Sequence, residues 1–231
     1  MSQVQSNEIR VPDSPATLGH HEAPPAAPAP AEPTAVVVGA GGDPLILGLP
    51  IFAVGALALG MVLIGFLPAV ALGAIVPIVL FATGFFLALV TLWAALLGQT
   101  IVAGITGTFS GFWLSLGALL LGVANGWYGL RLIDVPQVEQ MFFIAWGCLF
   151  VFLLVPTLRL PAVYPAIVGL VVAACAIATA AVRLTNTDLL KASGYVILVV
   201  ALLGFYAFVS VGQKAMGATR AVPPLGRPVV S

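Results

Sequence analysis

Between Asp43 and Val211 the chain holds six apolar runs, each about 20 residues long and separated by short connectors. They extend from about Leu45 to Ile64, Ala74 to Leu97, Thr100 to Val123, Val138 to Val155, Ala162 to Val182, and Leu189 to Val211. Such a run, wound as a helix, crosses the roughly 30 Å of a bilayer's hydrocarbon. Inside that hydrocarbon every backbone N–H and C=O needs an internal partner, and a helix supplies one locally. The expected fold class is therefore an all-α integral membrane protein, a bundle of six transmembrane helices. Only 7% of the residues are charged, against roughly 25% in a soluble chain, so no soluble fold competes.

The ends differ from the middle. Residues 1–42 contain HEAPPAAPAPAEPTA, a Pro/Ala-rich stretch without apolar periodicity, which reads as a disordered tail. It lacks the basic-then-apolar pattern of a secretory signal. His20 and His21 stand there as an isolated pair, without a third metal ligand. Residues 212–231 read as a short basic C-terminal tail. Pro68 follows the first run, Pro77 falls in the first turns of the second, and Pro156 and Pro161 separate the fourth from the fifth. Gly98-Gln99 leaves no room for anything but an antiparallel hairpin between runs two and three. The longest loop, Asn125 to Gln137, carries Arg131 and Asp134. An even number of spans puts both termini on one side. That side collects Arg10, Arg159, Lys214, Arg220 and Arg227, and the other Arg131, Arg183 and Lys191. The excess places the termini in the cytoplasm and the chain in the cytoplasmic (plasma) membrane as a multi-pass protein.

The third run, TIVAGITGTFSGFWLSLGALLLGV, has two unlike faces. At about 100° per residue, Gly104, Gly107, Thr108, Gly111 and Ser115 fall on one side, and Phe109, Trp113, Leu116 and Leu120 on the other. Small residues let membrane helices approach closely, so Gly104, Gly107 and Gly111 read as packing positions, and Trp113 and Trp93 as packing aromatics. A second reading makes the bulky face the wall of a pore.

The interiors of the six runs are read as free of ionisable side chains, which removes intramembrane proton relays and acid–base catalysis. Cys148 and Cys175 sit in apolar runs with no Cys–His cluster, so neither metal nor cofactor is expected. No GxxxxGK loop occurs, and an enzyme is not expected. A formal net charge of zero argues against a nucleic-acid partner. What survives is a conduit for a small solute. A weak acid would cross either with its own proton aboard, the favoured reading, or as an anion cradled by the hydroxyls of Thr106, Thr108 and Ser110.

Four stretches resemble the acetate uptake (succinate–acetate permease) family: DPLILGL at Asp43–Leu49, GQTIVAGITGTFSGFWLS at Gly98–Ser115, AWGCLFVFLLVPTLR in run four and SGYVILVVALLGFYAF in run six. The resemblance covers roughly Asp43 to Val211. It implies that Asp43, Pro44, Leu47, Gly48 and Leu49 form the motif at the mouth of the first span. It also implies that Phe109 occupies the position of a constriction tyrosine, that Val171 stands at an aliphatic constriction position, and that Gly204 is a small position linked to substrate size. Val138 is a loosely aligned further member. The resemblance departs at Asp43, where the family has Asn, and at Ile46, where it has proline. The function implied is passage of acetate and similar short monocarboxylic acids through a narrow hydrophobic pore in each protomer of a homo-hexamer set in membrane lipid, and the charge-free spans add the expectation that the acid moves with a proton. Phe109 in place of tyrosine favours monocarboxylates over dicarboxylates. An acid-activated urea or short-amide channel, and a non-transporting scaffold or sensor, are the rival readings.

Overall fold

The computed structural model describes residues 42–219 and 223–230, the side chains of 69, 70 and 72 apart. The Pro/Ala-rich tail, with His20 and His21, lies outside the described residues. Six helical spans long and apolar enough to cross a membrane are present, and no strand is found among the described residues. The α-helices are α1 (Leu45–Leu63), α2 (Phe86–Leu96), α3 (Thr100–Ala124), α4 (Val135–Thr157), α5 (Val163–Leu184) and α6 (Thr187–Ala215).

Two helices, α1 and α6, start where a side chain satisfies their first N–H groups. Asp43 Oδ1 accepts from Leu45 N at 2.9 Å ahead of α1. Asn186 Oδ1 accepts from Asp188 N at 2.9 Å and Leu189 N at 3.1 Å ahead of α6. That cap starts α6 earlier than expected, and the helix continues past Val211 to Ala215, so Lys214 belongs to its last turn rather than to a tail. Pro156 likewise lies inside the last turn of α4 and not in the connector.

The second span departs most from a simple helix. It runs as a 3-10 segment at Ala69–Ile75, a π segment at Ile78–Phe85 and then α2. The widened π turns are tied to two neighbours. Ser110 Oγ of α3 donates to Gly84 O at 2.8 Å, and Thr83 Oγ1 donates to Ile51 O of α1 at 3.2 Å. Gly55 makes the second tie feasible, because a Cβ there would collide with the Thr83 hydroxyl.

Helices α1 and α6 run antiparallel in close contact. At one end Gly60 and Gly194 admit Leu198 and Leu63 of the facing helix, and further along Gly204 lies against Ala53. The glycine face of α3 is not one continuous seam. Gly107 meets Thr91 of α2, Gly111 meets Trp146 of α4, and Gly104 has nothing within 4 Å, contrary to the packing role expected for it. The bulky face points inward: Phe109, Trp113 and Leu116 are all buried. Aromatic volume fills the centre of the bundle, where helices held apart by their neighbours would otherwise leave a void.

After α6 the chain returns. Val163 N donates to Leu225 O at 3.1 Å, Val229 N and Val230 N donate to Leu158 O at 3.0 and 3.1 Å, and Tyr206 OH donates to Pro224 O at 2.7 Å. Residues 223–230 are thus strapped across the α4–α5 turn. Five charged residues do lie within the α-helices: Glu139 on α4, Arg183 on α5, and Asp188, Lys191 and Lys214 on α6. The first four are near the ends remote from the chain termini and Lys214 is in the last turn of α6, so only the middles of the spans are free of charge.

Candidate functional site

Three phenylalanines from three helices meet at mid-depth. Phe109 of α3 packs edge-on against Phe52 of α1, with ring centroids 4.8 Å apart and planes at 64°. On its other side it stacks on Phe150 of α4 at 5.0 Å and 27°. Both geometries are favourable for aromatic quadrupoles. Phe150 is fully buried, and Phe52 and Phe109 nearly so.

This cluster separates two cavities. The larger, about 90 Å³, opens toward the side of the chain termini and is called proximal here. Gly48 and Leu49 of α1, Val102 and Thr106 of α3, Thr157 of α4 and Tyr164 of α5 line it. The smaller, about 30 Å³, lies toward the opposite side, between Leu59 of α1, Trp113 of α3, Phe143 of α4, Val171 and Cys175 of α5, and Ser193 of α6. Phe52 and Phe109 line both. The arrangement is cavity, aromatic plug, cavity, along the axis of a single protomer.

The lining is almost wholly apolar, and the hydrogens of its threonine and serine hydroxyls already have acceptors. Thr106 Oγ1 donates to Val102 O at 2.9 Å and lies 3.0 Å from Thr91 Oγ1, which itself donates to Leu87 O at 2.8 Å. Thr157 Oγ1 donates to Leu154 O at 2.6 Å, and Ser193 Oγ to Ala174 O at 3.0 Å. Each hydroxyl oxygen keeps lone pairs with which to accept. The threonine and serine hydroxyls of the path therefore offer acceptors, and the donors left to it are the Tyr164 hydroxyl of the proximal cavity and the Trp113 indole N–H of the distal one. An anion needs donors, whereas a neutral acid can donate its own O–H to a threonine oxygen.

The residues singled out from the sequence divide accordingly. Phe109, Val171, Gly48 and Leu49 line the cavities, and so does Trp113, whose indole Nε1 is buried with no hydrogen-bond partner among the described residues. Thr108 is half-buried, donates to Gly104 O at 2.8 Å and lines neither cavity. Ser110 is turned to Gly84 and holds the π segment instead. Gly204 also lines neither. A Cβ there would come within 2.9 Å of Ala53 Cβ and 3.5 Å of Phe52 Cδ1, so it backs the helix that carries Phe52. Asp43 caps α1, Pro44 is buried beneath it, and Leu47 and Val138 are half-buried away from both cavities.

Phe52, Phe150 and Thr157 were not anticipated. Phe52 had a signal, as an aromatic placed between Gly48 and Gly55 in a helix otherwise aliphatic. Phe150 had one too, lying four residues after Trp146 and seven after Phe143.

The pattern described as the GPR1/FUN34/yaaH family matches residues 28–221. A solved structure described as "Structure of the bacterial acetate channel SatP" superposes with a TM-score of 0.71 at 22% identity, over 80% of this chain and 99% of that one. The two share a fold. No curated protein matches the chain.

Proposed function

Because the chain belongs to the GPR1/FUN34/yaaH family, we propose that it conducts acetate and similar short monocarboxylic acids across the cytoplasmic membrane, in protonated form, along the axis of each protomer. The acetate channel of the same fold supports the substrate class. The observation that carries the reading is the dry aromatic plug between two cavities whose threonine and serine hydroxyls accept but have no hydrogen left to give.

Magnitudes favour the neutral solute. A simple carboxylic acid titrates near about pH 4.5, so protonating it at about pH 7 costs about 3.4 kcal/mol. Moving the bare carboxylate into an apolar site without donors costs far more, up to tens of kcal/mol in the Born limit. Protonation wins. Lipid surrounds the bundle, and α4, whose only buried residues are Phe150 and Thr157, turns Ile144, Val151, Phe152 and Val155 outward as the face we assign to neighbouring copies in a homo-oligomer. Arg159, Lys214, Arg220 and Arg227 on the terminal side, against Arg131, Arg183 and Lys191 on the other, support cytoplasmic termini.

The test is uptake into proteoliposomes, with protein-free vesicles subtracted, of labelled acetate and labelled urea across a pH series. Acetate flux climbing as pH falls, with urea slow at every pH, is the expected result. Fast urea flux with acetate at background overturns it in favour of a urea or short-amide channel.

A further inference from the structure

The inward face of α4 carries one carboxylate. At about 100° per residue, Glu139 projects in the same direction as Thr157 and within about 20° of Phe150, the two buried residues of the helix. One turn further along is Phe143, which lines the distal cavity. Glu139 therefore lies one helical turn beyond the lining of this distal cavity, the one remote from the chain termini, on the stripe that continues down to the plug. It is half-buried, and it makes no hydrogen bond or ion pair among the described residues.

The charged groups around this end are otherwise engaged or peripheral. On the turn before α4, Arg131 holds Asp134 through two hydrogen bonds of 2.7 and 2.9 Å. On α6, Lys191 lies 4.0 Å from Asp188. On α5, which packs along α4, Arg183 occupies the last turn, and α3 offers no charged side chain. An unpaired carboxyl half out of water beside an apolar path has no evident structural use, since burying one costs stability.

We propose that Glu139 is the proton donor at the distal mouth, protonating an arriving short-chain carboxylate so that it enters the distal cavity as the neutral acid. This rests on the transport reading above. The O–H bond of the Glu139 carboxyl breaks as an O–H bond forms on the solute carboxylate, and the Glu139 carboxylate then takes a proton back from water on the distal side. A glutamate side chain and a short carboxylic acid have nearly equal proton affinities, so the transfer is close to thermoneutral in either direction. The residue thus serves as acid on the way in and as base on the way out.

The experiment compares full-length wild type, Glu139→Gln and Glu139→Asp in proteoliposomes. Acetate uptake is followed from about pH 5 to about pH 7, and thermal unfolding checks folding. Relative to wild type, Glu139→Gln should lose about tenfold or more in uptake at about pH 7, a modest share of what a positioned acid supplies, and the gap should close toward about pH 5. At the lower pH the solute brings more of its own protons. Glu139→Asp should recover most of the loss. A Glu139→Gln profile that overlays wild type, or is lowered by one constant factor at every pH, overturns the assignment. Wild-type uptake no faster than that of protein-free vesicles instead overturns the transport reading itself, so the two failures are told apart.

Discussion

Replacing Phe109 by alanine removes the ring that lines both cavities and stands between them. In the closed state the ring makes two aromatic contacts, with Phe52 at 4.8 Å and Phe150 at 5.0 Å. Each such pair contributes about 0.5–1.5 kcal/mol, so swinging the ring aside costs about 1–3 kcal/mol, and deleting it should speed acetate by about 5- to 150-fold. The same deletion joins the two cavities, so succinate, which the wild type should pass poorly, should pass more readily. The fold bears a penalty as well. Truncating a buried phenylalanine typically costs about 3–5 kcal/mol, and a lower melting temperature should accompany the faster flux. Phe109→Tyr is the companion variant: it keeps the ring and adds a hydroxyl for which the dry plug has no evident partner, so the plug should hold. The assay is initial uptake of labelled acetate and succinate into proteoliposomes, normalised to folded protein. A folded Phe109→Ala variant with acetate flux within about twofold of wild type, and with succinate passing no more readily, refutes the reasoning, because the worked range starts at about fivefold.

Ser110→Ala removes the donor from Gly84 O in the π segment and should lower stability by about 1–3 kcal/mol, while flux per folded protein stays near wild type. Gly204→Ala drives a Cβ to 2.9 Å from Ala53, forces α6 off the helix that carries Phe52, and should cost about 1–3 kcal/mol, with acetate selectivity over succinate reduced in the flux assay. At Gly226, with φ +82° and space for a Cβ only 2.9 Å from Ala162 Cβ, alanine should loosen the C-terminal strap by about 1–3 kcal/mol, read as faster proteolysis of the last residues.

The six spans were legible because lipid allows so few solutions: a long apolar run without charge must be a helix. Their interior register was less so. Nothing local in IVLFATGF marks a π segment, since the partner that stabilises it, Ser110, comes from a different helix. Phe109 was singled out by the family resemblance, and the same limit explains why its companions were not. A helical wheel shows one helix's faces, but Phe52 and Phe150 become partners only when α1 and α4 close around α3. Thr106, Thr108 and Ser110 look alike in sequence. Depth and rotation separate them: Thr106 is one turn nearer the proximal cavity, Thr108 is turned aside, and Ser110 sits level with the plug facing the second span. The proline-rich segment after α6 read as a free tail because its contacts are backbone hydrogen bonds to a distant turn, which no periodicity announces.

The central claim is that the solute crosses as a neutral acid. The most direct measurement sets a membrane potential across proteoliposomes and follows acetate influx together with internal pH, with protein-free vesicles subtracted. A carboxylate crossing alone gains or loses about 2.3 kcal/mol per 100 mV, which would change its rate by up to about 50-fold. The account predicts no dependence on potential and acidification of the interior in step with acetate. Influx that follows the potential and leaves the interior pH unmoved would contradict it.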